Sequence, residues 1–99
     1  MKKPLALGTA TQLFIYGDGL DKQKKYTEAL AIFKLTNEMY PKELFGSYGM
    51  AKVYAKTGKL DESIKFADNT IRLSSNKETT TYLEKFKADI QQGKDLSGY

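Results

Sequence analysis

Hydrophobic positions along this chain recur at helical spacing, and the pattern then recurs as a block. From Leu44 to Lys56 the apolar side chains fall at Phe45, Tyr48, Met50, Val53 and Tyr54, and from Asp61 to Leu73 they fall at Ile64, Ala67 and Ile71. Steps of three and four residues place such side chains on one face of a helix. Between the two runs, Thr57-Gly58-Lys59 breaks the pattern, and Gly58 tolerates the positive φ that often ends a helix. Asp61 and Glu62 then put negative charge in the first turn of the next helix, against its partial positive end. The expected local structure is a helical hairpin.

The same block stands 34 residues earlier. Leu13-x-x-Tyr16-Gly17-x-x-Leu20 aligns with Ser47-x-x-Met50-Ala51-x-x-Tyr54, and Tyr26-Thr27-Glu28-Ala29-Leu30 aligns with Leu60-Asp61-Glu62-Ser63-Ile64. The two units span about 10–43 and 44–77, with Pro41 and Ser75 closing them at the same offset. Met39-Tyr40-Pro41-Lys42-Glu43 is expected to stop one helix and start the next, because Pro cannot continue a helix interior but suits its first position. Close packing within each hairpin needs small side chains where the backbones cross. Gly17 facing Ala29 and Ala51 facing Ser63 supply them, with Tyr16, Leu20 and Phe33 or Met50, Tyr54 and Phe66 filling the remaining volume.

A fifth helix is expected over 77–92. Ser75-x-x-Glu78 is a capping-box pattern, and Leu83, Phe86 and Ile90 form a one-sided apolar stripe behind it. Lys85 stands where Gly17 and Ala51 stand in the two units, and no partner helix follows Gly93, so this helix reads as a cap that shields the last hairpin. One domain over 9–92 results, with 1–8 as a leader or junction and 93–99 as a flexible tail.

Composition narrows the chemistry. The 99 residues include no Cys and no His, which removes thiol nucleophiles, imidazole bases, disulfides and the usual transition-metal ligands. Gly17-Asp18-Gly19-Leu20-Asp21 is too short for a phosphate loop and too poor in ligands for a calcium loop. No catalytic residue, metal or cofactor is therefore expected, and the chain is read as no enzyme. Gly19 has no packing explanation and predicts a weak or bent first helix. The net charge of +4 comes almost wholly from scattered lysines, Arg72 being the one arginine, which argues against nucleic acid. Nothing approaches a membrane-spanning apolar run. A soluble chain is expected, with cytoplasm and periplasm both open.

The period, together with Gly17, Tyr26, Ala29, Phe33 and Pro41 in one unit and Ala51, Tyr54, Gly58 and Leu60-Asp61-Glu62 in the other, resembles the tetratricopeptide repeat family over Ala10 to Asn76. The chain departs from that pattern at Lys24, where the family turn usually carries Gly, and at Thr36, Ser63 and Thr70, where it prefers Ala. The second unit is also similar to short repeat tails that follow the catalytic domain of some bacterial serine hydrolases. The resemblance implies an all-α fold, with about five helices in antiparallel hairpins stacked as a short right-handed solenoid. It further implies a non-catalytic scaffold that binds a peptide or partner helix in a concave groove.

Carried over by position, the groove would hold Phe14, Asp18 and Lys22 from the first unit, Tyr48, Lys52 and Lys56 from the second, and Tyr82 on the cap. Thr11, Asp21, Phe45, Ala55, Phe86 and Asp89 complete that surface. Phe14, Tyr48 and Tyr82 recur at the 34-residue interval as an aromatic ladder, which is either a ligand platform or helix-to-helix filling. The lysines favour an acidic peptide or serve solubility. The Lys and Asn clamp by which chaperone-binding members hold a terminal carboxylate looks absent, since Phe14 and Asp18 take the corresponding places. The alternative function is an accessory or oligomerisation segment of a larger, hydrolase-like protein. In that case an exposed Leu13, Phe14 and Ile15 on the first helix would meet a parent domain or a second copy in a homodimer.

Overall fold

The computed structural model describes residues 8–99 as five helices, with no strand among them. The leader expected over 1–8 lies, apart from Gly8, outside the described residues. The helices are α1 (Ala10–Lys22), α2 (Tyr26–Met39), α3 (Phe45–Lys56), α4 (Leu60–Leu73) and α5 (Lys77–Gln91). Each packs against its successor, and α1 also meets α3, so that two antiparallel hairpins stack with a fifth helix on the end. The fold class read from the sequence is the one observed. No helix among the described residues is long and apolar enough to cross a membrane.

Local signals explain the boundaries. Thr9 caps α1 with a reciprocal pair, its hydroxyl accepting from the Gln12 amide at 3.1 Å while its own amide donates to the Gln12 side chain at 3.0 Å. At α5 the capping residue is Asn76, one position after the expected Ser75, and it accepts from the Thr79 amide at 2.8 Å. Pro41 does not begin α3 as expected. It lies in a turn that runs to Leu44, and α3 starts at Phe45. The two hairpin turns are equivalent: Lys24 (φ 63) and Gly58 (φ 83) both adopt left-handed backbone, so Lys24 occupies a glycine conformation without being one. α1 runs unbroken through Gly19.

The core falls into two clusters. Ala29, Phe33, Met50 and Val53 join the hairpins, and Ala51, Ala67, Leu83, Phe86, Ile90 and Leu96 join the second hairpin to α5. Thr36, Ser63 and Thr70, the three departures from alanine, are fully buried because each hydroxyl has a backbone acceptor at 2.7 Å, on Ile32, Ala51 and Phe66 respectively. Ser63 thus meets Ala51 as expected. At Gly17 the nearest atoms belong to the Phe33 ring: a Cβ built there would come within 2.6 Å of it.

The tightest of the described glycine positions lies between hairpins. A Cβ on Gly49 would lie 2.3 Å from the Phe33 ring, and one on Gly46 would lie 2.6 Å from the Asn37 backbone nitrogen. Tyr16, expected to fill the first hairpin, is instead 58% exposed. It leaves the buried stripe of α1, formed by Ala10, Leu13, Gly17 and Asp21 at steps of three and four.

Candidate functional site

α1, α3 and α5 supply one continuous face, because residues 34 apart occupy equivalent places on successive first helices. The Phe14 ring stacks on Tyr48 with centroids 5.9 Å apart, and Tyr48 lies 6.3 Å from Tyr82 with the two hydroxyls 2.9 Å apart. The ladder is real as geometry. It is also partly core: Phe14 packs on Phe33 and Phe45, Tyr48 sits edge-on to Phe86 at 5.1 Å, and only Tyr82 keeps about half its surface open. Burial first, then the hydrogen bond with Tyr82, pushes the Tyr48 hydroxyl well above the usual tyrosine range.

Charges pair between α1 and α3, Lys52 with Asp18 at the repeat interval and Lys56 with Asp21 one residue beyond it. Lys52 donates to Asp18 at 2.5 Å, and Lys56 donates to Asp21 at 2.7 Å, which links α3 to α1 twice. Lys52 is 1% exposed and lies over the rings of Phe14 and Tyr48 at 5.4 and 5.2 Å, so its ammonium is held by a carboxylate and two aromatic faces together. Burial pushes the Lys52 ammonium pKa down, against the opposing pull of Asp18. For Asp18 burial works upward, but the hydrogen bond and charge of Lys52, with Lys22 at 3.4 Å, hold the carboxyl below its usual value. Lys52 is therefore no free groove cation, as the sequence suggested, because its charge is already neutralised within the fold.

The segment 93–99 corrects the expectation of a free tail. After Gly93, whose φ of 70 turns the chain, Leu96 is buried in the α5 cluster and the Tyr99 ring lies 4.8 Å from Phe86. The Tyr99 hydroxyl donates to Asp89 at 2.6 Å, and the Tyr99 carbonyl accepts from Lys52 at 2.8 Å and from Lys22 at 3.4 Å. The hydrogen bond from Tyr99 and then that from Lys85 hold the Asp89 carboxyl below its usual value. The tail returns because two apolar side chains, three positions apart, find apolar surface that α5 alone leaves open. That Leu96-x-x-Tyr99 spacing was the signal in the sequence.

Of the residues expected at a dimer or parent-domain contact, Leu13 is buried in the α1 stripe and unavailable to a partner, whereas Ile15 is 64% exposed beside Tyr16. Lys22 is exposed and Lys56 half-buried. Gly17, Ala29, Ala51 and Ser63 are all buried packing positions. Among the described residues no cluster of carboxylates has the geometry to hold a metal ion. The fold and this face define a stacked-hairpin helical domain with an aromatic and charged inner surface. No family model matches the chain, and no curated protein or solved structure matches it significantly.

Proposed function

We propose that this chain is a tetratricopeptide-like, non-catalytic interaction module that binds a short protein segment on the face of α1, α3 and α5. The observation that carries this reading is that the face already holds such a segment. Residues 96–99 lie against it through a buried aliphatic side chain, an aromatic ring and a backbone carbonyl held by Lys52. Flat aromatic side chains with a polar edge are well suited to such contacts, since they offer area and hydrogen bonding at little entropic cost. The side chains on this face are committed to pairs rather than to reaction chemistry.

The test is selection from a random-peptide library on the full chain, with affinities then measured by calorimetry. Enriched peptides should bind the native chain and lose about tenfold or more in Tyr82→Ala, which truncates the most open ring of the ladder. A library that yields no binder, or binders indifferent to Tyr82→Ala and Phe14→Ala in variants of unchanged helicity, refutes the reading. A second reading, association of two copies or of a parent domain through α1, is favoured by the exposed Ile15 and Tyr16. Sedimentation equilibrium of Ile15→Lys separates it, since only this reading predicts loss of self-association.

A further inference from the structure

We infer that residues 94–99 are an internal stand-in for the partner, and that the partner presents an aliphatic residue followed three positions later by tyrosine and enters by displacing this segment. The inference rests on the peptide-binding reading above and adds to it the chemistry of the ligand and the means of its control.

Three helices converge on the two anchor positions. Lys22 of α1 and Lys52 of α3 hold the Tyr99 carbonyl, while Phe86 and Asp89 of α5 hold its ring and hydroxyl. Leu96 fills the remaining apolar surface at 7% exposure. The residues between the anchors are not recognised: Ser97 and Gly98 are exposed, and a Cβ on Gly98 would meet nothing within 4 Å. A turn in which the Tyr99 amide donates to the Leu96 carbonyl at 2.9 Å sets the anchor spacing. The face therefore selects for two side chains at a fixed separation and tolerates what lies between them.

The tail is also built to leave. Six residues are ordered for the burial of two apolar side chains and the hydrogen bonds of Tyr99, so conformational entropy offsets much of what the contacts contribute. Its hinge, Gly93, has open space around it. While attached, the tail competes at an effective concentration on the order of millimolar, as short tethers do. A free partner gains over it only by reaching surface that the tail leaves open, of which the exposed half of Tyr82 is the nearest.

The absence of cysteine makes the test direct. A nitroxide on Ser97→Cys in the otherwise native chain reports the tail by electron paramagnetic resonance. The probe is an amidated synthetic peptide with the sequence of residues 94–99. The label should be immobile alone and should gain mobility at millimolar peptide, while a control peptide with Leu→Ser and Tyr→Ala leaves it unchanged. In Leu96→Ser/Tyr99→Ala, where the attached tail no longer competes, the native-sequence peptide should bind about tenfold or more tighter than to the native chain. A label already mobile without peptide, or one unmoved by saturating peptide, overturns the inference, and the labelled chain decides the matter should the double variant unfold. Library peptides that bind the face without an aliphatic-x-x-tyrosine pattern and leave the label immobile would also overturn it, while leaving the peptide-binding reading standing.

Discussion

The seam between α2 and α3 and the face of α1, α3 and α5 are built from opposite materials. At the seam, Phe33 is fully buried between Gly17 and Gly49, and Gly46 lies on the Asn37 backbone; contact is made by leaving side chains out. On the face, contact is made by long side chains that reach across, Lys52 to Asp18, Lys56 to Asp21 and Tyr48 to Tyr82. The seam has one arrangement, since a ring wedged between backbones has nowhere to go. The face is closed by hydrogen bonds and ring contacts between long side chains, and the 96–99 segment joins them through Lys52 and Phe86. Close backbone packing and long side-chain contacts thus fall on different sides of α3, which takes part in both.

The largest effect should fall on the seam. Gly49→Ala is expected to cost about 3 kcal/mol by overpacking the Phe33 ring. Gly19→Ala, where the added methyl meets nothing within 4 Å, should stabilise by about 0.5–1 kcal/mol. Urea unfolding followed by circular dichroism reads both, and equal effects at the two positions would erase the distinction drawn above.

Next comes the charge linkage on the face. Lys52→Ala leaves Asp18 without its main partner and should cost about 2 kcal/mol, less than a fully buried pair because Asp18 keeps about a quarter of its surface in water. Lys52→Met preserves the volume and should cost less. The Asp18 carboxyl is held below its usual value in the folded state, so its contribution is complete above the ordinary carboxylate pKa and is lost as the pH falls from there through the lower folded-state pKa. Acid titration of stability from about pH 5 downward should therefore be steeper in the native chain than in Lys52→Met. Parallel titrations would mean that the pair does not couple α1 to α3.

The smallest effect concerns the two turns. Lys24→Gly should stabilise by about 0.5–1 kcal/mol, as relief of left-handed strain exceeds the entropy that glycine adds to the unfolded chain. Gly58→Lys should cost a similar amount. Melting temperatures of the two variants should move in opposite directions.

Much of the fold was legible because it is written at short range. Five helices, two turns and the 34-residue register follow from spacing, capping residues and breakers, all within a few positions of one another. The site was legible in part. Phe14, Tyr48 and Tyr82 do share a face, and Asp18 and Lys52 stood at the repeat interval, but nothing local indicated that they pair with each other rather than with a ligand.

Three features only the tertiary structure decided. Gly46 and Gly49 carried no signal in the spacing, and their role appears only where α2 lies against them. Lys52 read as a surface cation until Asp18 and two rings closed around it. The tail read as frayed until Leu96 and Tyr99 met a surface assembled from α1, α3 and α5. Each depends on contacts between separate elements of the chain. The periodic pattern dictates which side of a helix is apolar, whereas the neighbour that covers it is chosen by packing of the whole.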